Sequence, residues 1–232
     1  MDYPIRINKY LATLGVTTRR GADELVERRK VLLNGRLAKL GDLVQAGDKV
    51  LVKDLPTDIN ENFVYFAYHK PRGEETGKLA PDKFPQNLSQ NIFPVGRLDK
   101  GSSGLLIMTN DGRITDRLLG PTYKHEKEYE VETDKSVNGF MLKRMEMGVN
   151  IEGYKTKKCQ AEKIGPKIFR IILTEGKKHQ IRRMCAAVGL QVKNLKRVRI
   201  MNIKLGNLKP GRLRPIIETQ KVEFLKTLSL SP

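Results

Sequence analysis

The segment Gly96-Arg97-Leu98-Asp99-Lys100-Gly101-Ser102-Ser103-Gly104-Leu105-Leu106 separates two apolar runs, Phe93 to Val95 before it and Leu105 to Met108 after it. Its glycines at 96, 101 and 104 let the backbone turn tightly and let a large ligand approach closely. One carboxylate, Asp99, stands two residues after Arg97 in that break. An aspartate so placed is either an ordinary turn residue or a nucleophile or acid/base group.

Around this loop, short strand patterns dominate residues 63–232. Phe63 to Tyr68 is an apolar run that ends in His69-Lys70-Pro71-Arg72-Gly73, and Phe169 to Thr174 reads as another strand. From Glu126 to Thr133 the chain alternates: Lys127, Tyr129, Val131 and Thr133 share one face, and Glu126, Glu128, Glu130 and Glu132 share the other. Four glutamates on one face require solvent or salt bridges, so Tyr129 points toward core or cleft. Ile181, Met184, Cys185 and Val188 mark one helix face, with Gly189 as its stop. Many strands and few helices predict an α+β domain on a mixed, mainly antiparallel sheet with flanking helices.

The N-terminal 53 residues read differently. Ile7, Tyr10, Leu11 and Leu14 form one face of a short helix closed by Gly15. Thr17 and Thr18 cap a second helix with Ala22, Leu25 and Val26 inward. Val31-Leu32-Leu33 then meets Asn34-Gly35, a hairpin signal, with Leu37 on the return and a last strand from Lys49 to Val52. Residues 54–62 are polar, hold a proline and lack periodicity, which predicts a linker between domains 1–53 and 63–232.

Lys and Arg total 44 against 26 Asp and Glu, a net charge of +18, which points to a polyanionic partner. The excess is concentrated: Glu175 to Arg214 holds twelve basic residues and one acid, interleaved with Ile181, Val188, Leu195 and Val198 as in a folded surface. Cys159 and Cys185 have no metal-ligand spacing and imply no disulfide framework. The start carries no apolar signal region and no stretch approaches a membrane span, so a cytoplasmic protein is expected, with monomer as the default.

The wording of the Gly-Arg-Leu-Asp segment, continued by Thr109-Asn110-Asp111-Gly112, resembles the active-site motif of the RNA pseudouridine synthases, in their ribosomal, Rsu-type family. Residues 1–53, with Arg19-Arg20 at a helix start and Val31-x-x-Asn34-Gly35 in the hairpin, resemble the S4 RNA-binding domain, an αL-like module. Gly21 stands where that domain often has a capping glutamate, and Arg29 where a helix-ending glycine is usual. The stretches His125 to Tyr129, Lys157-Lys158-Cys159 and Arg199 to Asn202 look most like the branch acting on large-subunit ribosomal RNA, with transfer RNA a further possible substrate.

The resemblance implies a set of roles. Asp99 is the catalytic aspartate, and Arg97 fills the space of a flipped base, although a phosphate-binding or salt-bridging arginine reads equally well. Tyr129 stacks on the uracil, where strand pattern alone would make it core, and Lys127 supports the cleft or contacts RNA. Arg182, in the run Glu175 to Met184 that opens a helix, pairs with Asp99; Arg183 faces RNA, and His179 is a phosphate neighbour and no general base. Leu195 lines the uracil pocket by packing, and Lys196, Arg197 and Arg199 extend a basic track. Arg6, Lys9, Arg19 and Arg20, with Arg28, Arg29 and Lys30, bind phosphates through the S4 module. His69 and His125 are structural or surface residues.

Isomerisation of uridine involves no redox change and no group transfer, so no cofactor or metal is expected. A non-catalytic S4 RNA-binding or ribosome-assembly factor would explain the charge but leave Asp99, Tyr129 and Arg182 without a purpose. An S4-linked methyltransferase would need a glycine-rich cofactor loop, which Gly101-Ser102-Ser103-Gly104 does not supply.

Overall fold

The structure, a computed structural model, describes residues 3–14, 16–17, 19–53, 63–79, 92–120 and 122–230. The expected helix stop at Gly15, the cap at Thr18 and the linker 54–62 lie outside the described residues.

The first elements are β1 (Ile5–Arg6), α1 (Ile7–Thr13), α2 (Arg19–Glu27), β2 (Val31–Leu33), β3 (Arg36–Leu37), β4 (Leu43–Val44) and β5 (Val50–Val52). Ile7 and Leu11 of α1 pack with Ala22 and Val26 of α2 against Val31, Leu33 and Val44. Leu14, expected inward, is exposed because α1 ends at Thr13 and the buried face closes with Ala12. The β2–β3 turn has φ +50° at Asn34 and +81° at Gly35, the two left-handed residues that a tight hairpin needs. Asn34 does more than turn the chain: its amide donates to Asp48 at 2.8 Å and its carbonyl accepts from the Lys49 amide at 2.8 Å. Arg29 adopts φ +57°, the glycine-like conformation its position demands. The pairing of β1 with β4 was not predicted, since two-residue strands carry no period.

The larger region holds β6 (Tyr65–Lys70), β7 (Phe93–Val95), β8 (Ser103–Thr109), α3 (Arg113–Leu119), β9 (Lys127–Thr133), α4 (Gly139–Glu146), β10 (Asn150–Ile151), β11 (Tyr154–Lys155), β12 (Gln160–Lys163), β13 (Ile168–Leu173), α5 (Gln180–Ala187), β14 (Val192–Ile200), β15 (Ile203–Lys204), β16 (Leu213–Pro215) and α6 (Glu218–Thr227). One sheet runs β12-β13-β9-β14-β8-β6-β16, with β15 beside β14 and β7 beside β8. Among the described residues its one parallel pair is β14 with β8, so the sheet is mixed and mainly antiparallel.

Apolar alternation sorts the layers. Tyr65, Ala67, Leu105 and Ile107 face Ile114 and Leu118 of α3 and Phe224 and Leu225 of α6. Val131, Phe169, Ile171 and Leu195 face Leu142 and Met145 of α4 and Ile181, Met184 and Cys185 of α5. A smaller cluster, Phe66, Tyr68, Leu98, Leu106 and Met108, packs against Tyr129. The glutamates of β9 take the remaining face, where Arg199 reaches Glu126 at 3.0 Å and Glu128 at 2.5 Å, and Arg170 reaches Glu128 at 3.0 Å.

The two regions touch through α3. Asp116 accepts from Lys9 Nζ at 2.9 Å and from Arg19 Nη2 at 3.3 Å. No described helix is long and apolar enough to cross a membrane.

Candidate active site

The registers place one residue from each of five strands in a row: Lys70 of β6, Gly104 of β8, Arg197 of β14, Tyr129 of β9 and Ile171 of β13. Gly104 is at φ +114°, and a Cβ there would overlap the backbone of Arg197, so only glycine lets β8 and β14 approach this closely. Asp99 lies on the loop that runs directly into β8, at the same end of the sheet as this row.

That loop is tied down from three directions. Leu98 both donates to and accepts from Thr76 Oγ1, at 3.2 and 2.8 Å, and the Gly73 amide donates to the Lys100 carbonyl at 2.7 Å. Arg182 of α5 donates to the Gly101 carbonyl at 2.9 Å and approaches Ser102 Oγ at 3.5 Å. Arg197 donates through Nε to the Leu105 carbonyl at 2.8 Å, and its Nη1 lies 3.5 Å from the Arg97 carbonyl. The loop itself closes with the Ser102 amide donating to the Asp99 carbonyl at 2.9 Å. Buried hydrogen bonds of this kind fix a carboxylate's position without consuming its oxygens.

The expected pairing of Arg182 with Asp99 is not what the structure shows: Arg182 holds the loop's backbone, and the ring beside the carboxylate is that of His179, with Nε2 3.6 Å from Asp99 Oδ1. His179 takes φ +53° at the entry to α5, a left-handed turn that swings its ring toward Asp99. The entry is organised by Glu175, which accepts from Tyr154 at 2.5 Å, from the Lys157 amide at 3.0 Å and from Gln180 at 2.6 Å. Lys70 is wholly buried; its ammonium donates to the Pro71 and Glu74 carbonyls at 2.9 and 2.7 Å. Burial pulls its titration below the usual lysine range, against the opposing charges of Glu74 and Asp99.

Other expected residues divide. Tyr129 is half-buried, between the cluster under α5 and the one containing Leu98, and Leu195 is buried in the former. Arg97 is exposed beside Asp99. Lys127 shares the Tyr129 face, but its amine turns to the His125 carbonyl at 3.4 Å. Burial, helped by the charge of Arg197, pushes its pKa down to about 8. Arg183 pairs with Glu152 at 3.1 Å.

The basic track expected at Lys196, Arg197 and Arg199 is not one surface. Arg197 is buried on the Tyr129 face and its neighbour Lys196 takes the other, while the register shift between Arg197 and Arg199 turns Arg199 to the Lys196 side. Lys196 lies 4.0 Å from Glu130 and Arg199 is bound in the glutamate ladder on the other face. Asp111 is a structural hub: it is buried and accepts from Tyr65 at 2.5 Å and Arg113 at 2.9 Å. Burial and that carboxylate hold the Tyr65 phenol protonated. The two cysteine thiols are pushed up to about 12 by burial and are inert fillers. His69 Nδ1 lies 2.6 Å from the Leu208 carbonyl, a structural contact.

Lys70, Thr76 and the catalytic-side position of His179 were not anticipated. Lys70 ends a strand whose other residues are also buried, and only that continuity would have hinted at an interior lysine.

Comparison with known proteins agrees with this layout. Residues 64–187 match the RNA pseudouridylate synthase family and residues 5–50 match the S4 domain. The dual-specificity RNA pseudouridine synthase RluF of Escherichia coli K12 is 39% identical over 99% of this chain and 81% of its own length. The ribosomal large subunit pseudouridine synthase B of Bacillus subtilis is 34% identical over 97% of this chain and 96% of its own. A crystal structure of a pseudouridylate synthase superposes with a TM-score of 0.70 at 26% identity, covering 94% of this chain and 98% of the other. An N-terminal S4 module and a sheet that carries Asp99 beside Tyr129's row thus place the chain in the RNA pseudouridine synthase family.

Proposed function

We propose that the chain converts a specific uridine of large-subunit ribosomal RNA to pseudouridine, acting as a cytoplasmic monomer without a cofactor, and that transfer RNA is the alternative substrate to test. The Bacillus and Escherichia relatives' names support ribosomal RNA and more than one target, respectively. Residues 1–53 would dock RNA, 54–62 link, and 63–232 perform the chemistry. In this reading Asp99 attacks or deprotonates the nucleoside, Tyr129 supports the detached base by stacking, and Leu195 closes the apolar wall. Arg97 fills the stack left by the everted base, and Arg182 holds the Asp99 loop.

The observation that carries the reading is the anchoring of the Asp99 loop by Thr76, Arg182 and Arg197, which leaves its carboxylate half-exposed at the mouth of a cationic row. A non-catalytic RNA-binding factor has no need of such an arrangement. Phosphate contact falls to Arg6 and Arg20, which are exposed, and to Lys9 and Arg19 once Asp116 releases them. Chemical mapping of pseudouridine in unmodified ribosomal and transfer RNA after incubation with the protein tests the proposal. New pseudouridine at one position of the large-subunit RNA is expected, and none in any RNA would refute it.

A further inference from the structure

Arg197 is 4% exposed and carries a guanidinium, and no carboxylate among the described residues pairs with it. Its Nε and Nη1 face carbonyl oxygens, while Nη2 is buried with no acceptor. Leaving a buried guanidinium nitrogen unpaired destabilises the fold. The chain adds a second cation instead of an acid. Lys127 lies two residues from Tyr129 on the same face of β9, and Arg197 faces Tyr129 across the strand pair. The other strand neighbours of Lys127 are Leu173 and Ile200, so Arg197 is the charged group that acts on it. Two cations that share an aromatic neighbour and, among the described residues, no acid make a place for an anion.

The reaction creates one. When the C1′–N1 bond breaks, with the Asp99 carboxylate bonding to C1′ or taking a proton from C2′, its electron pair leaves with the base, and the pyrimidine carries negative charge over N1, O2 and O4. Once the C1′–C5 bond forms, Asp99 is released or returns its proton to C2′, C5 loses its proton and N1 gains one, so the product has the composition of the substrate. We infer that Arg197 and Lys127 hold the detached pyrimidine as an anion against Tyr129, with Arg197 Nη2 donating to a ring oxygen. This rests on the isomerase reading of the same cleft. Because the negative charge appears only after cleavage begins, the two cations act on rate and leave RNA affinity nearly untouched.

The test is single-turnover isomerisation of a large-subunit ribosomal RNA fragment by the full chain, with RNA affinity measured in parallel. Arg197→Met is expected to slow the reaction by about 100-fold while Kd stays within about twofold. Arg197→Lys, which keeps the charge, should restore at least about a tenth of the lost rate. Wild-type rate should fall above pH of about 8 as Lys127 loses its proton. In Arg197→Met that alkaline limb should move to higher pH, because the repelling charge is gone, and a limb that stays in place would mean that Lys127 does not set it. Should Arg197→Met fail to fold, Lys127→Met decides: a rate reduced by about tenfold and an alkaline limb no longer present are expected. Wild-type rates in the folded variants, or a loss of affinity that matches the loss of rate, would overturn the inference. A wild-type chain that makes no pseudouridine would instead refute the function.

Discussion

The two faces of strands β9 and β14 treat charge in opposite ways. On the outer face Glu126, Glu128 and Glu130 meet Arg170, Lys196 and Arg199 in a ladder of alternating sign. On the inner face Lys127 and Arg197 flank Tyr129 with no acid among the described residues between them. Paired charges at a sheet surface hold strands in register and do little else. A buried guanidinium nitrogen without an acceptor destabilises the fold, and that cost is the ground for inferring that the inner face meets negative charge.

Substitutions on either face, and beside it, should separate these roles. Asp99→Asn should reduce isomerisation by about 10³-fold or more while RNA affinity changes by no more than about twofold, because phosphate contacts dominate binding. Single-turnover rates and filter binding measure both, and surviving turnover would remove Asp99 from the chemistry. Tyr129→Ala on the inner face should cost about 10- to 100-fold in rate, the value of one base–aromatic stack. A change confined to stability would make Tyr129 plain core.

Gly104→Ala drives a Cβ into the Arg197 backbone at a left-handed position and should destabilise the protein by about 2–4 kcal/mol. Thermal unfolding reads this, and an unchanged midpoint would mean that β8 and β14 can separate freely. Arg199→Met on the outer face should lower stability by about 1 kcal/mol and leave rate and RNA affinity within about twofold. Affinity lost by that variant would return Arg199 to the RNA interface. Asp116→Asn should have the smallest effect: freeing Lys9 and Arg19 for phosphate, it tightens RNA binding by about twofold at low salt and not at high salt.

Lys127 should add stability as pH rises from about 8 toward 10, since it releases its proton in the fold while the unfolded chain still holds it, and the buried Cys159 and Cys185 oppose this because their thiols ionise first in the unfolded chain. Denaturant titrations across that range should show wild type gaining stability relative to Lys127→Met.

How far each level reaches follows from the kind of information involved. Local signals carried the elements: Asn34-Gly35 specified a hairpin because few residues accept φ > 0, and the period-two pattern from Glu126 to Thr133 separated Tyr129 from the glutamates. Family wording marked Asp99, Tyr129, Arg182 and Leu195 in their order along the chain. The period-two rule, applied to Lys196, Arg197 and Arg199, would have put Arg197 and Arg199 together, and only the register shift between them sends Arg199 to the glutamate face. Which partner each cation takes was not legible, because it depends on the strands alongside.

By itself, then, the sequence determined the α+β class, the N-terminal RNA-binding module, the polyanionic partner and the loop that bears the carboxylate. Periodicity, turn chemistry and net charge are local or additive, and they can be read without coordinates. Tertiary structure alone decided that His179 and not Arg182 stands beside Asp99, that Arg197 lies buried over Gly104, and that Arg199 belongs to the outer ladder. These are pairings between residues roughly seventy or more positions apart, set by strand order and register, and an individual charge carries no record of the neighbour it will meet.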